Sequence, residues 1–261
     1  MVHPSRSGHP STAAPAHSRR PATVDRDEAD RFAALAEEWW DEDGEFRPLH
    51  RLNPVRLRWL RDALCARFGR DIGPRPLRGL SILDVGCGGG LVCEPLCRLG
   101  AAVTGIDATA ESVRAAEAHA KAMRLAIEYR CAAAEELYEA GERFDAVVSF
   151  EVIEHVADRE LFLEALCGLI APGGALALST LNRTARAFAL AVVGAEYIMR
   201  WLPRGTHSWS KFVKPSELAR GLAPHGFRLD DLAGMSYEPA AGEWRLSRDL
   251  AVNYLALAVK D

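Results

Sequence analysis

Residues 81–91 read Ser81-Ile82-Leu83-Asp84-Val85-Gly86-Cys87-Gly88-Gly89-Gly90-Leu91, and a helical stretch continues to Leu99. A β-rich run, a block of glycine and a helix follow one another without a linker, which is how a doubly wound α/β fold turns its first strand into its first helix. Glycine suits such a turn because the backbone takes unusual dihedrals and lets a ligand approach closely, while a helix start offers unpaired N–H groups. On its own the loop fits dinucleotides, flavins and S-adenosylmethionine almost equally. Further β-rich runs at Ala102–Ile106, around Ile127–Arg130, at Phe144–Phe150 and at Ala175–Thr180 alternate with helical ones. Phe227–Leu232 and Val252–Val259, after a helix around Pro215–Leu222, complete the count. The pattern predicts a mostly parallel, seven-stranded sheet with helices on both faces.

Two carboxylates narrow the ligand. Asp84 lies two positions before Gly86. A charge there repels a pyrophosphate and welcomes an ammonium-bearing ligand, so S-adenosylmethionine is favoured over NAD. The alternative role for Asp84 is to accept hydrogen bonds from the loop's own amides. Asp107 ends the second strand, where an acid accepts both ribose hydroxyls; its alternative is to cap the next helix together with Thr109. No G-K-[ST] follows the loop, which removes a nucleoside triphosphatase.

The rest of the chain is arranged around this core. Residues 1–24, with Pro4, Pro10, Pro15 and Pro21, read as a disordered, dispensable tail; the prolines would break the helix an organelle-targeting segment needs. Residues 25–79 read as a helical cover: one amphipathic helix over Asp27–Trp40, and a second reaching Phe68 with Asn53 as N-cap and Pro54 as first residue. Residues 183–214 are an insertion. Its Phe188, Leu190, Val192, Val193, Tyr197, Ile198, Met199, Trp201 and Leu202 stand among basic residues such as Arg186, Arg200 and Arg204. This composition suits a membrane interface across 186–204, the alternative being ordinary packing on the core.

With 32 Lys and Arg against 36 Asp and Glu, the net charge of -4 gives no basic excess for a nucleic-acid backbone. Six cysteines without a C-x-x-C pair read as reduced thiols, and the longest apolar run is too short to span a bilayer. The expectation is a cytoplasmic protein, peripheral on the inner face of the cytoplasmic membrane.

Past the strand Phe144–Phe150 the chain reads Glu151-Val152-Ile153-Glu154-His155. Asn or Asp before Pro-Pro, typical of amino-group methylation, is absent there. On a helical turn Glu151, Glu154 and His155 fall at i, i+3 and i+4 and converge, two hard oxygens and an imidazole fit for Mg²⁺ or a similar dication. The alternative is acids complementing a helix dipole, with His155 packed nearby.

The glycine loop, Gly105-Ile106-Asp107 and Pro172-Gly173-Gly174 resemble a class I S-adenosylmethionine-dependent methyltransferase. Trp39-Trp40-Asp41, the run Gly44 to Arg56, Ser179-Thr180-Leu181-Asn182-Arg183, Val193-Gly194-Ala195-Glu196-Tyr197, Gly205-Thr206-His207 and Val252-Asn253-Tyr254 extend the likeness from about Asp25 to the C-terminus, to the ubiquinone biosynthesis O-methyltransferases. That resemblance implies methylation of phenolic hydroxyls on polyprenylated catechol or quinol precursors, including 3-demethylubiquinol to ubiquinol. It also implies cofactor contacts at Arg56, Gly86, Asp107 and Phe150, to which the glycine-loop reading adds Asp84 and Gly88. It further implies a divalent metal, Mg²⁺ in the first instance, on Glu151, Glu154 and His155, and membership of a quinone-synthesis complex. Phe150 departs from the Met often found there and offers adenine an apolar ring. Glu135 is a candidate for the adenine amino group or a solvated helix residue. Trp39 and Trp40 are candidates for closing the site, and His50 and His207 are either acid–base groups or satisfied loop histidines. The rivals are an O-methyltransferase for a small soluble catechol and a non-catalytic S-adenosylmethionine-binding accessory protein.

Overall fold

A computed structural model describes residues 23–190, 209–239 and 241–260. Most of the expected tail, and the insertion residues Val192 to Leu202 together with Arg204 and His207, lie outside them. Among the described residues eight strands form one sheet in the order β3-β2-β1-β4-β5-β8-β6-β7. They are β1 Ser81–Val85, β2 Ala102–Asp107, β3 Glu128–Cys131, β4 Phe144–Phe150, β5 Ile170–Leu181, β6 Phe227–Glu238, β7 Glu243–Ser247 and β8 Asn253–Lys260. The first five pair in parallel, and β8, β6 and β7 add antiparallel strands at the far edge.

The seven expected strands are present, and β7 is the addition. It pairs with the extended end of β6 as a hairpin, Tyr237 opposite Trp244. Its five residues Glu243-Trp244-Arg245-Leu246-Ser247 alternate polar and apolar, the period-two signal of a strand, which the reading of the sequence passed over.

Successive residues of each strand serve different cores, as the pleat demands. Ile82, Ala146, Val148, Leu255 and Leu257 face a cluster closed by α2 (Arg47–Arg67), α3 (Cys93–Arg98) and α4 (Ala110–Ala122). Leu83, Val147, Tyr254 and Ala256 face the opposite cluster, closed by α5 (Ala134–Glu139), α6 (Arg159–Gly168) and α8 (Pro215–Leu222). At the amino end of the sheet, Asp145 Oδ2 accepts from both the amide and the hydroxyl of Ser81, each at 2.8 Å. The Asp145 amide donates back to Ser81 Oγ at 3.0 Å, clasping β4 to β1.

The cover differs from expectation in two places. The first helix is not continuous: α1 spans Arg26–Ala34, and a 3₁₀ turn, Ala36–Glu38, carries the chain on to Trp39. In the second, Asn53 and Pro54 lie inside α2, which starts six residues earlier than the expected cap. The ring of Pro54 removes one helical hydrogen bond. The Asn53 side chain instead makes one tertiary bond, its amide donating to Leu91 O at 3.5 Å, and one within α2, its carbonyl accepting from Arg56 Nε at 3.2 Å. Thr23 is buried, and its amide donates to Glu135 Oε1 at 3.2 Å, so the chain is built into the fold from the first described residue.

Of the insertion, a short helical turn α7 (Ala185–Ala187), residues 188–190 and a 3₁₀ turn at Trp209–Lys211 are described. Phe188, Leu190 and Trp209 are exposed. Among the described residues no helix is long and apolar enough to cross a membrane.

Candidate active site

The strand order reverses between β1 and β4, so the loop after β1 and the turn after β4 face one crevice at the carboxyl edge of the sheet. A cavity of about 800 Å³ opens there. It is lined by Asp84, Gly86, Cys87 and Asp107 on one side, by Phe150, Glu151, Glu154 and His155 on the other, and by Arg56, Trp39, Phe46 and Glu28 from the cover.

In the glycine loop, Gly86 has φ +74°, and a Cβ there would lie 2.4 Å from Val152 Cγ2, so bare backbone lets the two loops touch. At Gly88, with φ +52°, a Cβ would lie 2.4 Å from Trp39 Cη2. The indole lies over the loop, stacked on Phe46 with centroids 3.7 Å apart. Trp40 joins it by donating from Nε1 to Gly89 O at 2.9 Å. The regular helix begins only at Cys93, after a turn through residues 89–92.

Asp84 is 2% exposed and accepts from the Cys93 thiol at 3.1 Å. Burial pushes its carboxyl up to about 7, against the opposing pull of the Cys93 thiol and the Arg56 guanidinium. Of the loop amides, that of Gly88 is taken by Asp107, whose Oδ2 accepts from it at 3.0 Å. Asp107 Oδ1 accepts from the amide and hydroxyl of Thr109 at 2.9 and 2.8 Å. Burial raises the Asp107 pKa while these donors lower it. Asp107 thus braces the start of α4 through Thr109 and also lines the cavity.

Arg56 is 3% exposed, reaches the cavity from α2 and is no surface charge. Its guanidinium lies 5.3 Å from the Phe150 ring centroid, and Nη1 sits 3.6 Å from Glu151 Oε1. Nη1 is buried with no hydrogen-bond partner, a cationic N–H aimed toward the pocket wall. Burial lowers its pKa, and Glu151, Asp84 and Glu154 oppose that shift.

The acidic turn departs from the expected helix. Glu151 takes a left-handed φ of +56°, and α6 begins only at Arg159, capped by Asp158. The i, i+3, i+4 argument therefore does not apply, and the three side chains seek separate partners. Glu151 Oε1 accepts from Ser179 Oγ at 2.7 Å, Glu154 Oε2 accepts from Thr180 Oγ1 at 2.8 Å, and His155 Nδ1 pairs with Glu28 Oε2 at 3.3 Å. Among the described residues no group of three or more His, Cys, Asp or Glu side chains is arranged to hold a metal ion. The expected ligand set for Mg²⁺ is thus adjacent in the cavity wall but not assembled. Burial, reinforced by Glu151, raises the Glu154 pKa above the ordinary carboxylate value. For His155, burial works against charge, and Glu28, Glu154 and Glu151 outweigh it, so its pKa is raised.

Sequence reasoning missed four participants. Glu28 and Thr23 come from the cover, and Ser179 and Thr180 end β5, level with Glu151. The hydroxyl pair at a strand's carboxyl end was the available signal. Glu135 Oε1 accepts from the Thr23 amide while Oε2 is buried without a hydrogen-bond partner, and the residue does not line the cavity. His50 Nε2 lies 2.9 Å from Trp39 O; the residue is in the first turn of α2 rather than in a loop.

Comparison with known proteins agrees with this geometry. A family profile described as "Methyltransferase domain" matches residues 83–178. Magnesium protoporphyrin IX methyltransferase (ChlM) from Synechocystis PCC 6803 with bound SAH superposes with a TM-score of 0.62 at 20% identity, covering 90% of this chain and 99% of that one. At that identity the likeness is one of fold. The ubiquinone biosynthesis O-methyltransferase of Chelativorans sp. (strain BNC1) is 50% identical over 242 residues, 92% of this chain and 96% of that protein. Its counterpart from Rhizobium etli (strain CIAT 652) is 51% identical over 237 residues, 90% of this chain and 96% of that protein. With the glycine loop, the switch-point crevice and this identity over nearly the whole length, the chain belongs to the ubiquinone biosynthesis O-methyltransferases.

Proposed function

We propose that this protein transfers the methyl group of S-adenosylmethionine to a phenolic oxygen of a polyprenylated catechol or quinol, 3-demethylubiquinol to ubiquinol among them. The observation that carries this reading is the single cavity of about 800 Å³, with a glycine loop and two acids on one side and an acidic turn on the other. Its volume lies in the upper part of the range for ligand sites, as two bound molecules require.

S-adenosylmethionine supplies an electrophilic methyl on a sulfonium. Asp84 offers a negative charge to the cationic end of the donor, and Arg56 Nη1, buried without a hydrogen bond and only loosely ion-paired with Glu151 at 3.6 Å, is suited to a carboxylate. Gly86 lets the donor approach the backbone, whereas Gly88 is covered by Trp39 and is not in the cavity wall; Asp107 has an acceptor site left for ribose hydroxyls, and Phe150 gives adenine an apolar surface. The acceptor ring sits against the acidic turn. The phenolic proton passes to the Glu151–Glu154 pair, oxygen bonds to the methyl carbon, and the carbon–sulfur bond breaks with its electrons leaving on sulfur. No step here runs through a dication. Rate enhancement comes from holding donor and acceptor in line and from Glu154, whose raised pKa suits proton uptake near neutral pH.

The apolar stretch 186–204 is proposed as a peripheral membrane contact of this enzyme, in keeping with a substrate that resides in lipid. Exposed Phe188, Leu190 and Trp209 support it. A quinone-synthesis complex would be the natural neighbour of such a contact. The decisive assay is transfer from labelled S-adenosylmethionine to demethylated ubiquinol. Label in the quinol is expected; tight nicotinamide dinucleotide uptake with indifference to sulfonium compounds would overturn the reading.

A further inference from the structure

The cavity does not end at the acidic turn. It runs on to the β6–β7 hairpin, where Met235, Tyr237, Pro239 and Trp244 line it, with Leu190 and Val252 also in its wall. Tyr237 and Trp244 are directly paired across the hairpin, ring centroids 5.6 Å apart, and form a continuous aromatic surface. The hairpin is anchored rather than loose. Trp244 packs against the core cluster containing Val55, Trp59 and buried Met235, and Trp59 Nε1 donates to Asp231 Oδ2 at 2.8 Å, tying α2 to β6. Leu190, in the wall of the same cavity, is exposed to solvent.

We infer that this wall is the binding site for the isoprenoid tail of the substrate. The inference rests on the methyl-transfer reading above and adds to it the residues that select prenylated over bare catechols. A branched hydrocarbon chain has no hydrogen-bonding group and gains affinity only where aromatic and aliphatic surface replaces water. The hairpin supplies such surface in direct continuity with the chamber holding the acidic turn, so a ring seated at Glu151 would send its tail toward Trp244 and out past Leu190.

The test is the ratio of kcat/KM for a catechol carrying two isoprene units to that for the same catechol without them. In the wild-type protein the ratio is well above one. In Trp244→Ala and in Tyr237→Ala it falls about tenfold, the scale on which lost apolar contact degrades discrimination. Trp244→Leu, which keeps an apolar wall, retains most of it. A ratio held at the wild-type value in both alanine variants, including the case in which both substrates decline together, overturns the inference. A wild-type protein that methylates neither catechol would overturn the underlying reading instead, and this is recognised before any variant is made.

Discussion

The loop after β1 and the turn after β4 share one sheet edge, yet they are held in opposite ways. The amides of the glycine loop are held mainly within the β1–β2 neighbourhood, Asp107 tying Gly88 to Thr109 and the amides of Gly86 and Cys87 both donating to Ile106 O, with Trp40 of the cover adding one bond to Gly89 O. The acidic turn borrows its partners from afar. Glu151 and Glu154 lean on the end of β5, and His155 leans on Glu28 of the cover. A locally braced loop is a rigid receptor for the donor, whereas a turn held from outside responds to whatever moves β5 or α1.

The sharpest way to probe the contrast is at the acidic turn. Replacing both acids, Glu151→Gln with Glu154→Gln, lowers kcat about 10³-fold, in the range for loss of a proton acceptor, while calorimetric affinity for S-adenosylmethionine stays within about threefold. A parallel collapse of donor binding would mean that the two regions are not separable.

Next in size, Gly88→Val forces a Cβ into Trp39 and strains a positive φ. Donor affinity falls about 10²-fold, the order expected when a binding loop is displaced by an ångström. Unchanged affinity would mean that the indole, not the loop, yields.

A third test concerns charge. The Asp84 carboxyl, pushed up to about 7, carries its proton below that pH in the free protein. A cationic ligand favours the ionised form, so binding of S-adenosylmethionine releases a proton and tightens as pH rises from about 5 to 7, by at most about one decade per pH unit. Calorimetry in two buffers of different ionisation enthalpy reads the release directly. In Asp84→Asn the release disappears and affinity falls about tenfold.

The smallest expected effect lies at the surface. Phe188→Ser with Leu190→Ser lowers flotation with anionic vesicles a few-fold, about what the loss of two apolar side chains from an interface costs. Flotation equal to wild type would confine the contact to other residues of 186–204 or remove it.

The same contrast explains what the sequence alone could tell. Strand, glycine turn and the acid at the end of β2 are encoded within about 25 residues, and Asp84, Gly86 and Asp107 all line the cavity as expected. So, too, do Arg56 and Phe150, through the family likeness. The acidic turn was placed correctly along the chain but given the wrong shape, because helical spacing assumes ordinary dihedrals and Glu151 takes a left-handed one to meet Ser179. Partners 25 residues or more away in sequence, such as Glu28 for His155 and Thr180 for Glu154, leave no local trace. For the same reason α2 runs through Pro54: its packing through Val55, Trp59 and Leu60 outweighs the proline, and a boundary read from capping preferences alone misses that.

The clasp between Ser81 and Asp145 lies at the opposite end of the sheet from the chemistry. Strands scarcely stretch, so an indexing point at one end dictates the phase of everything at the other. A slip of β4 by a single step would exchange its two faces and send Val147 toward the wrong core. Three hydrogen bonds far from any ligand thus synchronise the arrival of Asp84 and Phe150 at the reactive rim, and the accuracy of the catalytic edge is inherited from its quiet end.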